Sequence, residues 1–160
     1  MKVVTPELLS RISREALKSP RLRKNHNLHA SDQARCHRLL NAMEPASYIR
    51  PHRHLDPEKD EGFILLSGSL GIITFSDDGT VAETVLLSQA NGNRAADIPP
   101  GAYHTAVSLE TGTVFYETKA GPYLPLLDNE KAPWAPDDDA HAAPGYLERL
   151  RGLFAEDGFC

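Results

Sequence analysis

Three imidazoles and one carboxylate are spaced along this chain so that they could hold a divalent metal ion. His52 and His54 lie in Tyr48-Ile49-Arg50-Pro51-His52-Arg53-His54, Glu61 follows six residues later, and His104 ends Pro99-Pro100-Gly101-Ala102-Tyr103-His104. Nitrogen and oxygen donors in this mixture suit a six-coordinate transition metal such as Fe(II), Mn(II) or Ni(II), with two positions left for water, a substrate or dioxygen. Zn(II) also takes these donors, although four protein ligands would close a tetrahedral structural site. The expectation is that His52, His54, Glu61 and His104 converge on one point, with donor atoms about 2.0–2.3 Å from the ion.

Local backbone has to bring them together. Side chains alternate faces along an extended strand, so His52 and His54 point the same way. Pro51 biases Arg50 toward extended geometry. Leu55-Asp56-Pro57-Glu58-Lys59-Asp60 is polar and broken by proline, which reads as a solvated loop. Glu61 then opens an apolar run, Gly62-Phe63-Ile64-Leu65-Leu66, of strand length. A hairpin would return Glu61 to the side of His54. Ile98-Pro99-Pro100-Gly101 is a turn signal, and the β-forming residues after it put His104 near a strand start.

Around these residues the chain reads as helix, β region, helix. Thr5 is placed to cap a helix with Pro6 at its first position, ending near Ser19-Pro20. An irregular basic segment follows, to about residue 36. Candidate strands are 38–43, 47–52, 62–66, 70–75, 81–87, 95–98, 103–109 and 113–119, with Asp77-Asp78-Gly79 as a hairpin turn. Short strands at regular spacing indicate a sandwich or barrel. Residues 121–145 read as a covering arm, and a terminal helix spans about 146–154. The organisation expected is one structural domain: an N-terminal helix and basic arm over 1–36, a barrel over 37–120, and a covering arm with a C-terminal helix over 121–160.

The four-residue set resembles the two cupin motifs. His52-x-His54 with Glu61, six residues and Gly68 resembles the first, although the gap before Glu61 is long and the leading Gly is absent. Pro99, Gly101 and His104 resemble the second, with Ser108 where Asn is usual. The resemblance implies an all-β fold, the cupin double-stranded β-helix or jelly-roll barrel, here with an N-terminal helix or arm and a short C-terminal helix. Over residues 23 to 136 the chain is similar to the WbuC-type cupin fold metalloproteins. The similarity is carried by 25–29, by Arg38-Leu39-Leu40-Asn41-Ala42-Met43-Glu44-Pro45 leading into His52 and His54, by 121–126, and by 132–136. That group is associated with bacterial surface-polysaccharide clusters, implying a link to lipopolysaccharide O-antigen biosynthesis, and it carries no settled reaction.

Further site residues follow from parity and from the resemblance. Arg50 shares parity with His52 and His54, so its guanidinium is expected on the same cavity, binding a carboxylate or phosphate unless it pairs with an acid such as Glu117. His29 is expected over the pocket by resemblance. Tyr116 and Glu117 occupy a late strand where one must face inward. Arg50, His29 and Tyr116 are the substrate-binding candidates. A catalytic acid or base would come from Tyr116, Glu117 or His29. His37 and His141 read as structural or surface residues, and Trp134 as packing the arm onto the barrel.

Composition bounds the rest. The chain has 160 residues, net charge −5 and 41% hydrophobic residues, enough for one domain with a sizeable core. No apolar run approaches the roughly 20 residues of a membrane span, and no apolar stretch follows Lys2 as a leader would require. Cys36 and Cys160 have no framework spacing, which suits a reduced, cytoplasmic protein, one as a small buried residue and one as a stray terminal thiol. Residues 1–38 carry a net +6 and the remainder −11. Without aromatic residues in the basic stretch, nucleic acid is not an expected partner. A basic arm docking on an acidic barrel is, and with an open sheet edge to cover it suggests a homodimer. Two functions fit: an enzyme acting on a small oxygen-rich molecule, anionic or sugar-like, bound at the metal, or a metal-dependent binding or sensing module without turnover.

Overall fold

The computed structural model describes residues 1–155, so Cys160 lies outside the described residues. Helix α1, Pro6–Leu17, begins where the Thr5 side chain accepts the Leu8 N–H. Strands follow as β1 (Arg23–Asn27), β2 (Cys36–Met43), β3 (Glu61–Ser67), β4 (Ser69–Phe75), β5 (Val81–Ser88), β6 (Ala95–Ile98), β7 (Tyr103–Ser108) and β8 (Thr113–Ala120). A 3-10 turn at Asp128–Glu130 and helix α2, Ala143–Gly152, follow.

The strands form two antiparallel sheets, β1-β2-β8-β3-β6 and β5-β4-β7, facing each other as the jelly-roll expectation requires. The core between them holds Met43, Phe63, Leu65, Leu70, Ile72 and Phe115. Alternation along β2 explains how one strand serves two layers. Met43 enters that core, while Leu40 and Ala42 turn outward and pack with Ile12 and Ala16 of α1. On the back of the smaller sheet, Ile73, Phe75 and Val107 meet Leu147 and Leu150 of α2 and Phe154 just after it. The covering arm is held by Trp134, whose ring lies 4.8 Å from Phe75 and whose indole N–H donates to the Asp77 carbonyl at 3.1 Å. The Asp77-Asp78-Gly79 hairpin forms as expected, with Gly79 at φ +90°.

Three expectations are corrected. The basic segment is not irregular throughout, because β1 pairs along its whole length with β2, Arg23 opposite Met43 and Asn27 opposite Leu39. Its residues are poor β formers, and the ladder offered by β2 overrides their propensity. Conversely, the strand expected at 47–52 does not form; only His52 makes isolated bridges, to His104 and Lys131. Cys36 is exposed rather than buried. The basic segment docks within its own chain, Arg23 pairing with Asp138 at 3.1 Å.

Candidate metal centre

Residues 51–54 run extended between two backbone partners. On one side His52 and His104 exchange N–H to carbonyl bonds of 3.0 and 2.8 Å, and the Gly101 N–H donates to the His54 carbonyl at 2.8 Å. On the other, Ala132 and Arg53 extend the ladder through Pro51 and Glu130. Gly101 sits at φ +81°, a conformation that favours glycine, and this turn delivers His104 at the second position of β7. Glu61 opens β3 opposite Lys119 of β8 and Ile98 of β6.

The structure brings all four sequence-predicted residues together. One donor atom each from His52, His54 and Glu61 lie within 4.8 Å of one another. His54 Nε2 is 2.8 Å from Glu61 Oε1, and His104 Nε2 is 3.2 Å from Glu61 Oε2. The His52 and His104 rings lie 4.8 Å apart, and those of His54 and His104 6.1 Å. His54, Glu61 and His104 are buried.

The donor chemistry fits a metal ion. His52 Nδ1 is 3.0 Å from the Arg50 carbonyl and His104 Nδ1 is 2.9 Å from the Ala102 carbonyl. A carbonyl can only accept, so each Nδ1 carries the proton and each Nε2 presents a lone pair, the tautomer of a metal ligand oriented by an outer partner. Burial pushes the His52 imidazole down to about 4, helped by the nearby His104, so the ring is neutral at physiological pH. For Glu61, burial acts to raise the carboxyl, but the imidazoles of His104 and His54 against its oxygens and the charge of Lys119 hold it well below the usual carboxylate range.

Lys119 is the residue that sequence reasoning missed at this centre. Its ammonium lies 2.7 Å from Glu61 Oε1 and 2.7 Å from Glu117 Oε1. Burial favours the neutral amine, but the two carboxylates outweigh it and raise the lysine above its ordinary value. Glu117 also accepts from the Asn41 amide. Parity along β8 would group Phe115, Glu117 and Lys119, but Val114 and Phe115 are both apolar, so the inward face could not be chosen from sequence.

A cavity of about 460 Å³ opens beside the centre, bordered by His52, Glu61 and His104. The polar part of its wall is made by Asn25, Asn27 and His29 from β1 and its extension, His37 and Asn41 from β2, and Glu117 from β8, and the rest is apolar, including Met43, Phe63 and Phe115. His29 lies on this wall. His37, read as structural or surface, is buried on this wall and stacks on His29 with ring centres 4.1 Å apart. The His29 tautomer is decided by the backbone. The Arg38 N–H points at His29 Nδ1 at 3.1 Å, while the Arg38 carbonyl already accepts from Leu28. Nδ1 is thus the acceptor, and Nε2–H is left to donate.

Two substrate-binding candidates are corrected. Arg50 does not line this cavity, and its guanidinium is bound to the Ala132 carbonyl and Asp137 on the covering arm. The parity that would have aligned it with His52 needs a continuous strand, which this stretch lacks. Tyr116 faces the opposite side of β8 and packs toward α1. Glu117 is the inward residue of that pair.

A family model described as Domain of unknown function (DUF6016) matches residues 4–87. The chain belongs to that family. The matched part of this DUF6016 chain includes His52, His54 and Glu61, while His104 lies beyond it. No curated protein matches the sequence. Among solved structures, TT1209 from Thermus thermophilus is similar with TM-score 0.52 and 21% identity, over 75% of this chain and 97% of that one. KdgF from Halomonas sp. is similar with TM-score 0.51 and 16% identity, over 66% and 84%. A cupin superfamily protein from Desulfitobacterium hafniense follows with TM-score 0.48 and 12% identity, over 61% and 76%. At these identities the likeness concerns the fold alone, a jelly roll of two antiparallel sheets with an N-terminal and a short C-terminal helix. Among the described residues no helix is long and apolar enough to cross a membrane.

Proposed function

We propose that this DUF6016 chain is a divalent-metal-binding cupin in which His52, His54, Glu61 and His104 hold the ion and a small oxygen-rich molecule binds beside it. The observation that carries this is the pair of outer hydrogen bonds at His52 and His104, which leave Nε2 of each ring as the atom available to a metal, that of His104 3.2 Å from the buried Glu61 carboxylate. A bound divalent ion would act as a Lewis acid toward an oxygen ligand in its open positions. The chain's own residues do the rest. Lys119 neutralises Glu61 and Glu117, and the Asn25, Asn27 and His29 wall supplies hydrogen bonds to hydroxyl groups.

Two carboxylate residues outside the ligand set line the cavity, the exposed Asp32 and the buried Glu117, and Glu117 is the proposed acid or base if the protein turns a substrate over. Element analysis of protein purified without added metal tests the centre. One divalent ion per chain in the wild type, lost in His54→Ala, is expected; equal and sub-stoichiometric metal in both proteins removes the proposal. We also propose a homodimer through the outer edges of the larger sheet, β1 and β6. Light scattering that reports a monomer at micromolar concentration overturns it.

A further inference from the structure

The loop before β3 places a lysine on a cavity wall. Asp56, Glu58 and Asp60 are exposed, but Lys59 is only 8% exposed. A turn closed by the Lys59 N–H on the Asp56 carbonyl, 3.1 Å, reverses the chain there. The Lys59 ammonium has no hydrogen-bond or carboxylate partner among the described residues. It borders a second, smaller cavity of about 160 Å³, together with His37, His52, His54 and Lys119. The rest of that wall is apolar, and no aspartate or glutamate lines it. Glu130, which feels the charge of Lys59, has its two carboxylate oxygens bound by the N–H groups of Leu55 and Leu127.

An ammonium on a cavity wall with no carboxylate beside it is available to pair with an anionic ligand. The two cavities share His37, His52, Lys119 and Tyr123, so they meet at the proposed metal ligands. The cations elsewhere are spent: Arg23 on Asp138, Arg50 on Asp137, and Lys119 on Glu61 and Glu117. We infer that the smaller cavity is a carboxylate subsite in which Lys59 binds the acid group of the ligand, while the hydroxylated remainder lies along the Asn25, Asn27 and His29 wall. The ligand class is then a hydroxycarboxylic acid, including sugar acids. Lys59 takes the anion-binding role that parity had assigned to Arg50. This inference rests on the proposed metal centre for the position of the ligand, but not for the existence of the subsite.

The test is calorimetric titration of malate into wild type, Lys59→Met and Lys59→Arg, each in metal-free and manganese-loaded form, with manganese content measured in parallel. Lys59→Met is expected to weaken malate by about tenfold or more, the loss of one charge-assisted hydrogen bond. Lys59→Arg should stay near the wild type, and manganese content should not change. Equal affinity in wild type and Lys59→Met, or no malate binding by the wild type in either form, overturns the subsite. Absence of manganese from the wild type defeats the metal centre alone, because the metal-free titrations still compare lysine with methionine.

Discussion

His52 and His104 are a cross-strand pair: each donates its backbone N–H to the other's carbonyl, at 3.0 and 2.8 Å. Residues paired in this way stand side by side with their side chains on one face. Two imidazoles far apart in sequence are therefore locked together by backbone bonds that neither side chain contributes to. Replacing either ring leaves that ladder intact. His104→Ala is thus expected to remain folded while losing metal affinity by more than the roughly 10–100-fold that removal of an outer partner costs. Circular dichroism and metal titration check the two halves; unchanged metal affinity would take His104 out of the ligand set.

Lys119 holds two buried carboxylates, Glu61 and Glu117, that would otherwise repel each other. Lys119→Met should destabilise the metal-free protein by about 1–3 kcal/mol, below the full value of a buried pair because the lysine is partly exposed. A divalent ion on Glu61 replaces the missing charge. The rise in melting temperature on adding metal should therefore be larger in Lys119→Met than in the wild type. A smaller rise would mean that Lys119 assists the metal instead of standing in for it.

Acid should weaken the metal-free fold in a defined window. The His52 value of about 4 lies below its ordinary 6.5, so between these the unfolded chain binds the proton and the folded chain does not. Glu61 is also held low, so its contribution is present above about 4.5 and is lost as pH falls through its folded value. Stability, read as the urea midpoint, is expected to fall as pH drops from 6.5 toward 4, and further below that. In His52→Phe the slope between 6.5 and 4 should shrink. An unchanged slope would show that other groups carry it.

Gly101 tests the backbone alone. Nothing lies within 4 Å of where a Cβ would stand, but φ is +81°. Gly101→Ala should cost about 1–2 kcal/mol through the left-handed conformation rather than through a clash. Since Gly101 N–H also holds the His54 carbonyl, metal affinity should fall with it. Denaturant midpoints that match the wild type would show that the turn relaxes to another conformation.

The four-residue centre was legible in the sequence because its geometry is local. Alternation places His52 with His54, a turn returns Glu61, and a proline–glycine turn starts the strand of His104. The same alternation failed at Arg50, because the stretch before Pro51 makes no ladder, and its guanidinium follows the covering arm to Asp137. Strand β1 was hidden because Arg23-Lys24-Asn25-His26-Asn27 has no β-forming pattern, and only the register with β2 makes it a strand. The choice of Glu117 over Tyr116, the seat of Lys119 between two carboxylates and the burial of Lys59 and His37 were decided by tertiary structure alone. Which face of a strand is inward, and which cation lacks an acid, depend on neighbours far along the chain, and side-chain periodicity carries no record of them.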